Sequence, residues 1–277
     1  MSRSVDLESY FRRIAYKGPR TATLETLRAI HLLHPQAIAF ENLDPLLKRP
    51  ISLEPQTLEQ KLLHSGRGGW CFEQNGLFAD ALEALDFRVT RLAARVMWNA
   101  PVGAPVRPRT HMLLRIDGID GAPYIADVGF GGLTLTGPLR LAPNVEQATP
   151  HESFRLVETS EGYVLEALIR RSWKPLYSFD LQPQKLPDYE VWNWYLENHA
   201  ASPFVNNLMA ARVSPERRYA LLNNKLSVHP LDGESAQTTL TSPGELRTTL
   251  ERTFAIRLPD DPGLDVLLAR FTVNTRT

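Results

Sequence analysis

The chain contains little cysteine, no net charge and no long apolar run. Its 277 residues include a single cysteine, Cys71, which excludes an intramolecular disulfide and a zinc site built from several thiolates. Lys plus Arg and Asp plus Glu each total 31, so no overall field attracts nucleic acid or an anionic membrane. The N-terminal segment lacks the apolar core of a signal peptide, and no later stretch approaches the about 18 uninterrupted apolar residues that a membrane span needs. We therefore expect a cytoplasmic protein that binds small molecules and has no nucleic-acid, membrane or metal partner.

The spacing of apolar residues divides the chain into three regions. From residue 6 to about residue 85 they recur at helical intervals, with several prolines at the connections. After Asp86 the period changes to two, which predicts a mostly antiparallel sheet or barrel with strands near residues 92–98, 112–116, 154–157 and 163–169. We expect an α+β fold with a helical region at 1–86, a β-barrel region at 87–187 and a smaller α/β region at 188–277.

The third region carries mixed signals. Its pattern predicts helices near residues 189–197, 203–211 and 243–254, with short strands between residues 218 and 228. Residues 99–109, NAPVGAPVRPR, are the most linker-like stretch of the chain.

Cys71 lies in the segment RGGWCFEQN, residues 67–75. Gly68 and Gly69 allow a tight approach of the backbone, and the sequence that follows predicts a helix. The sulfur would then lie at a helix N-terminus, where unpaired amides and the helix dipole favour negative charge. Cysteine is also among the most buried residue types and packs as a small hydrophobe. Taken alone, this segment leaves both chemistry and packing open.

A nucleophilic cysteine needs a base, and the base needs a group that orients it. His111 begins the strand in THMLLRI, and Asp127 ends the strand in YIADVGFGG, just before a glycine-rich turn. Each places a polar side chain at the end of an apolar strand, where it can reach a cleft beside the helical region. A satisfied histidine and a simple turn former are the competing interpretations.

The remaining histidines are weaker candidates. His31 and His34 lie three apart on a predicted helix and could be a metal pair, but no third ligand is spaced nearby and an amphipathic helix explains them. The other four lie beside turns or in polar contexts and carry no motif: His64, His151, His199 and His229.

Taken together and in order, these segments resemble the arylamine N-acetyltransferase family. RGGWCFEQN, RTHMLLRI and ADVGFGG carry the resemblance. It extends to AFENLDPLLKRPISL at 39–53, SWKPLYSFDL at 172–181 and NWY at 193–195, and so covers most of the chain.

The resemblance implies a fold and a set of catalytic residues. The expected fold is a papain- or transglutaminase-like arrangement of an N-terminal helical bundle, a central antiparallel β-barrel and a C-terminal α/β lid. The implied nucleophile is Cys71, with His111 as the base and Asp127 as the orienting carboxylate. Arg67 is expected to pair with Glu41 as a buried support for the cysteine loop.

The implied activity is acetyl transfer from acetyl-coenzyme A to arylamines, arylhydrazines and arylhydroxylamines, by a ping-pong mechanism through an acetyl-cysteine. No tightly bound cofactor is expected, because acetyl-coenzyme A is a co-substrate. Gly129, Gly131 and Gly132 are expected to let backbone amides approach the pyrophosphate of coenzyme A. The same glycines fit a plain strand turn equally well.

Three aromatic residues are expected around the flat ring of the acceptor: Phe40, Phe130 and Phe204. Core packing competes with this role, for Phe40 especially. The sequence departs from the family pattern at Ala39, where proline is usual, and in LENHAASPF after NWY. Both departures concern the shape of the lid and the acceptor pocket.

Two other classes of function use the same residues. A thiol hydrolase or transglutaminase-like acyltransferase would employ the same triad with another acyl donor. A binding protein with no enzymatic activity would keep Cys71 as inert core.

Overall fold

Helices occupy the first part of the chain, where the apolar spacing predicts them. The computed structural model describes residues 5–101 and 103–272. Residues 1–4 and 273–277 of the predicted regions, and residue 102 of the predicted linker, lie outside the described residues. The N-terminal helices are α1 (Leu7–Arg13), α2 (Leu24–Ala37), α3 (Leu43–Leu46), α4 (Pro55–Leu58), a π-helical segment (Glu59–His64) and α5 (Cys71–Glu83). Side-chain caps define two of the starts, since Asp6 accepts from the Ser9 amide and Thr23 from the Thr26 amide.

Eight antiparallel strands form a nearly closed barrel. They are β2 (Arg88–Val96), β3 (His111–Ile119), β4 (Ala122–Ala126), β5 (Leu139–Arg140), β6 (Gln147–Ala148), β7 (Ser153–Thr159), β8 (Gly162–Ile169) and β9 (Ser172–Phe179). Their order is β5-β4-β3-β2-β9-β8-β7-β6. The two edge strands meet through a side chain: Gln147 accepts from the Arg140 amide at 2.7 Å and donates to the Arg140 carbonyl at 2.9 Å. The predicted antiparallel barrel is confirmed.

A second sheet contains the later strands and one strand from the N-terminal part. The strands are β1 (Phe40–Glu41), β10 (Met209–Ser214), β11 (Arg217–Leu222), β12 (Lys225–Pro230) and β13 (Ala236–Thr239), in the order β1-β10-β11-β12-β13. Helices of this part are α6 (Leu186–Asn198), α7 (Pro203–Asn206), α8 (Pro243–Thr248), a π-helical segment (Thr249–Thr253) and α9 (Leu264–Thr272).

The helix predicted over residues 203–211 is wrong in its second half. The helix ends at Asn206, and Met209–Ser214 form strand β10 between β1 and β11. The Asn42 side chain contributes to this switch, because it accepts from the Met209 amide at 2.7 Å and donates to the carbonyls of Phe204 and Asn207. A partner this distant in sequence overrides the local helical signal.

The pairing of β1 with β10 joins the first and third predicted regions. The regional boundaries, the papain- or transglutaminase-like comparison and the role of the third region as a lid stay predictions. Within the described residues, no helix has both the length and the apolar character needed to cross a bilayer.

Candidate active site

Cys71 is the first residue of α5, and its side chain is almost fully buried. The helix start is fixed by Glu73, whose carboxylate accepts the Trp70 amide at 3.0 Å. The thiol of Cys71 lies 3.6 Å from the carbonyl oxygen of Thr110, the residue before β3. The sulfur therefore lies at the positive end of a 13-residue helix and beside the residue that precedes strand β3 of the barrel.

The structure brings Cys71, His111 and Asp127 together. His111 begins β3 and Asp127 follows β4, and the two strands are neighbours in the barrel. The Nε2 of His111 lies 2.7 Å from the Oδ2 of Asp127, and Cys71 lies near enough to the ring to favour its charged form. Since Nε2 faces Asp127, Nδ1 is the nitrogen left for the sulfur.

Charge in this group strongly favours an imidazolium. Burial alone would lower the pKa of His111, but the Asp127 carboxylate and the contact with Cys71 raise it to about 10. Burial likewise opposes ionisation of Asp127, yet its pKa is lowered because His111 and several hydrogen-bond donors stabilise the carboxylate. A buried acid and base thus hold each other in their charged forms.

Asp127 accepts hydrogen bonds at both carboxylate oxygens. Oδ1 accepts from Asn75 Nδ2 and from the Gly129 amide, both at 2.9 Å, while Oδ2 accepts from the Tyr177 hydroxyl at 3.0 Å and faces His111. These bonds fix the rotamer of the carboxylate. Reasoning from the sequence did not identify Asn75 or Tyr177 in this role.

Asn75 connects the helix that begins with Cys71 to the strands that position His111 and Asp127. It lies one turn after Cys71, donates to the Met112 carbonyl at 2.7 Å and accepts from the Val128 amide at 3.0 Å. The helical spacing from Cys71 was the one signal in the sequence that could have indicated this residue.

A buried ionic network lies behind the cysteine loop. Arg67 Nε donates to Glu41 at 2.8 Å, and its Nη2 donates to Asp44 at 3.0 Å. Lys61 Nζ continues the network, at 2.6 Å from both Asp44 and Glu73. The predicted Arg67 and Glu41 pair is thus connected, through Asp44 and Lys61, to Glu73, the carboxylate that caps α5.

Close packing explains the glycines of the cysteine loop. A β-carbon on Gly68 would lie 2.1 Å from the Ala39 carbonyl oxygen, and one on Gly69 would lie 2.7 Å from Oε2 of Glu73. Neither position has room for a side chain.

The three glycines after Asp127 have different surroundings, although all line the same cleft. A β-carbon on Gly129 would meet the Cys71 backbone, and Gly131 has a positive φ of 84°. Gly132 has room, since its nearest neighbour would be the Ala220 β-carbon at 3.9 Å. Gly129 thus packs against the backbone of Cys71, Gly131 is buried against the Phe40 ring, and Gly132 is the exposed member of the three.

The predicted aromatic residues surround the same opening. Phe40 and Phe204 have ring centroids 6.1 Å apart, and Phe130 packs edge-on against His111 at 5.1 Å. All three line a cleft of about 1590 Å³ together with Cys71 and His111.

The outer cleft is positively charged. Three exposed cations line it: Arg107, Arg170 and Lys174. None of them pairs with a carboxylate among the described residues, 5–101 and 103–272. The one carboxylate in the lining, Glu152, is already paired with Arg218. No group of three or more His, Cys, Asp or Glu placed to hold a metal ion occurs in the part of the chain that the structure describes.

Comparison with known proteins identifies the family. A family model described as N-acetyltransferase matches residues 23–262. The arylamine N-acetyltransferase of Mycobacterium bovis is 41% identical over 276 residues, covering 96% of this chain and 97% of the relative. That of Escherichia coli is 38% identical over 255 residues, covering 92% and 90%.

Solved structures agree with the sequence relatives. The arylamine N-acetyltransferase from M. tuberculosis superimposes with a TM-score of 0.93 at 41% identity, covering 95% of this chain and 100% of that one. The Mycobacterium marinum enzyme in complex with CoA gives a TM-score of 0.92 at 39% identity, covering 96% and 99%. The resemblance seen in the motifs is confirmed, and the chain belongs to the arylamine N-acetyltransferase family of acyltransferases.

Proposed function

We propose that this protein transfers the acetyl group of acetyl-coenzyme A to the nitrogen of arylamines and arylhydrazines, and to arylhydroxylamines, through an acetyl-Cys71 intermediate. The observation that carries the proposal is the grouping of Cys71 with the hydrogen-bonded pair of His111 and Asp127, with Cys71 and His111 lining a large cleft. A thiolate, a base and an orienting carboxylate are the parts that covalent acyl transfer needs.

In the first half-reaction, the Cys71 thiolate attacks the acetyl carbonyl. The tetrahedral intermediate collapses by breaking the bond to the sulfur of coenzyme A, and the His111 imidazolium protonates that leaving sulfur. One thioester is exchanged for another, so acetyl-Cys71 forms while His111 becomes neutral. The backbone amide of Cys71, free at the first turn of α5, is positioned as a donor to the oxyanion.

In the second half-reaction, neutral His111 acts as the base. Acetylation removes the negative charge of Cys71, which is one of the contributions that raise the pKa of His111. The ring can then accept the proton of the attacking amine. Collapse of the second tetrahedral intermediate releases the N-acetyl product and restores the thiolate and imidazolium, which gives ping-pong kinetics.

The same chemistry selects weakly basic acceptors. Arylamines are neutral near pH 7 and keep a free lone pair, whereas alkylamines are protonated. The aromatic residues Phe40, Phe130 and Phe204 supply the apolar walls that a flat ring requires.

The outer cleft suits coenzyme A, which carries several phosphate charges. Gly132 leaves the backbone exposed, and the unpaired cations Arg107, Arg170 and Lys174 favour a polyanion. The M. marinum relative is solved in complex with CoA, which supports coenzyme A as the ligand. A cytoplasmic location, with no nucleic-acid or membrane partner, belongs to the same proposal.

Intact mass after incubation with acetyl-coenzyme A tests the intermediate. We expect a mass increase of one acetyl group in the wild-type protein, none in Cys71→Ser, and rapid loss of the adduct when an arylamine is added. A wild-type protein that takes up no acetyl group contradicts the proposal. An adduct that decays equally fast with and without amine identifies a thioester hydrolase instead.

A further inference from the structure

Helix α2 places two buried histidines behind the site, and the reaction uses neither. His31 and His34 are fully buried, lie one turn apart on α2, and both pack edge-on against Phe78, with ring centroids 5.6 Å and 5.4 Å away. The sequence left them as a possible metal pair or as part of an amphipathic face. Their hydrogen bonds indicate another role.

His31 contacts the half of the site that contains the carboxylate. Its Nε2 lies 3.1 Å from the backbone nitrogen of Asp127, and a backbone amide can only donate. Nε2 must therefore be the unprotonated acceptor, so the single ring proton is on Nδ1. Protonation of Nε2 would place two donors against each other and would release the Asp127 amide.

His34 contacts the half that contains the nucleophile, through Gln74. The amide nitrogen of Gln74 donates to the Ala39 carbonyl at 2.8 Å and to the Gly69 carbonyl at 3.2 Å, so its oxygen faces His34 at 2.7 Å. The Nε2 of His34 must donate to that oxygen. Its Nδ1 then accepts from the Tyr10 hydroxyl at 3.0 Å.

We propose that His31 and His34 are positioning residues that hold the two halves of the site to α2, each in a different neutral tautomer. His31 fixes the Asp127 turn, and His34 fixes the Gly69 loop through Gln74. The proposal rests on the catalytic roles proposed for Cys71, His111 and Asp127.

The surroundings keep both rings neutral. Burial lowers the pKa of His31 to about 4, against a partial opposing effect of Asp127. Burial also lowers the pKa of His34 to about 3, and the positive charge of Arg13 acts in the same direction. The groups that face the pair are thus Asp127 and Arg13, together with the neutral Tyr10 and Gln74.

Nitrogen NMR of the wild-type protein, labelled at histidine, tests the tautomers without any substitution. We expect His31 with its proton on Nδ1, His34 with its proton on Nε2, and no titration of either between about pH 8 and about pH 5. Titration of either ring near its ordinary pKa, or the same tautomer for both, overturns the proposal.

Substitutions then separate the two halves. In His31→Leu the Asp127 amide loses its acceptor, so the ionisation of His111 seen by NMR should move down by about one pH unit. His31→Gln, whose side-chain oxygen can accept the same hydrogen bond, should keep the wild-type value. An unchanged His111 ionisation in His31→Leu contradicts the role of His31.

His34→Leu should act on the other half of the site. We expect alkylation of Cys71 by iodoacetamide to slow about tenfold while the His111 ionisation stays at its wild-type value. Ile30→Val, buried on the same helix, is the matched control and should change neither property. Wild-type alkylation in His34→Leu contradicts the role of His34.

These measurements need neither acetyl-coenzyme A nor an amine. A protein that is never acetylated would therefore refute the proposed transfer reaction and leave the positioning of the site to be judged on its own. If a leucine variant does not fold, the tautomers measured by NMR in the wild-type protein still test the proposal.

Discussion

A β-carbon on Gly129 would lie 2.8 Å from the Cα of Cys71, so the turn after Asp127 packs directly against the backbone that presents the sulfur. The same β-carbon would lie 2.9 Å from Nδ2 of Asn75. Both neighbours are held inside the structure and cannot move aside easily. The turn that follows Asp127 and the helix that begins with Cys71 are thus in contact without an intervening side chain.

We expect Gly129→Ala to lower the rate of acetyl transfer roughly 100-fold, because a small displacement of a reacting group has an effect of this size. Gly137→Ala is the matched control, since this glycine lies outside the cleft and its β-carbon would meet Pro150 and Thr149 at ordinary contact distances of 3.8 Å and 3.9 Å. Steady-state kinetics of both variants provide the measurement. Equal losses in the two variants would contradict the assigned role of Gly129.

Asp127→Asn removes the charge that stabilises the His111 imidazolium. The pKa of His111 should fall, which moves the alkaline limb of the pH–rate profile to lower pH, and kcat should fall by roughly 10⁴-fold, as in other triads. Asp117→Asn on β3 removes a partly exposed partner of Arg115 and should leave both properties unchanged. An alkaline limb that does not move would exclude Asp127 as the partner of the base.

Glu41→Gln leaves the buried Arg67 with less compensating charge. Such a change in a buried pair should reduce the free energy of unfolding by about 3–5 kcal/mol. Chemical denaturation measures it, with Glu8→Gln as the control, since the Glu8 and Arg20 pair is exposed and should contribute nothing measurable. Wild-type stability of Glu41→Gln would show that the network is not a support.

The buried histidine His31 makes the free energy of unfolding depend on pH. The unfolded chain binds a proton at this residue below a pKa of about 6.5, whereas the folded protein does so only below about 4. The folded state therefore loses stability as the pH falls through this window, by about 1.4 kcal/mol per pH unit for one proton. His31→Gln should lack this part of the slope, and Ile30→Val should retain it. Denaturation curves at several pH values between these limits provide the test, and equal slopes in the wild type and His31→Gln would contradict the lowered pKa.

Local sequence patterns indicated Cys71, His111 and Asp127 as candidates, and the family resemblance then assigned them to a triad. Cys71, His111 and Asp127 each lie at the end of a helix or a strand, and apolar periodicity together with glycines marks such ends in the sequence. The helices that precede the barrel and the antiparallel strands of the barrel itself follow from the same patterns.

The groups that hold the site in place required the tertiary structure. Tyr177 lies 50 residues from Asp127 along the chain, and His31 lies 96 residues from it, so nothing local connects them. Strand β1 was hidden for another reason, because it consists of only Phe40 and Glu41. Two residues are too few for a periodic pattern to be visible.

Strand β1 has a consequence for the order in which the molecule forms. Phe40 and Glu41 pair with Ala211 and Ala210, which the ribosome adds long after Cys71. Phe40 also forms a bridge with Gly69, on the edge of β1 that faces away from β10. Until β10 emerges from the ribosome, β1 therefore has no partner strand on its second edge. The thiol therefore reaches its final surroundings late in synthesis, and a truncated chain that ends before β10 would display the cysteine without assembling a working enzyme.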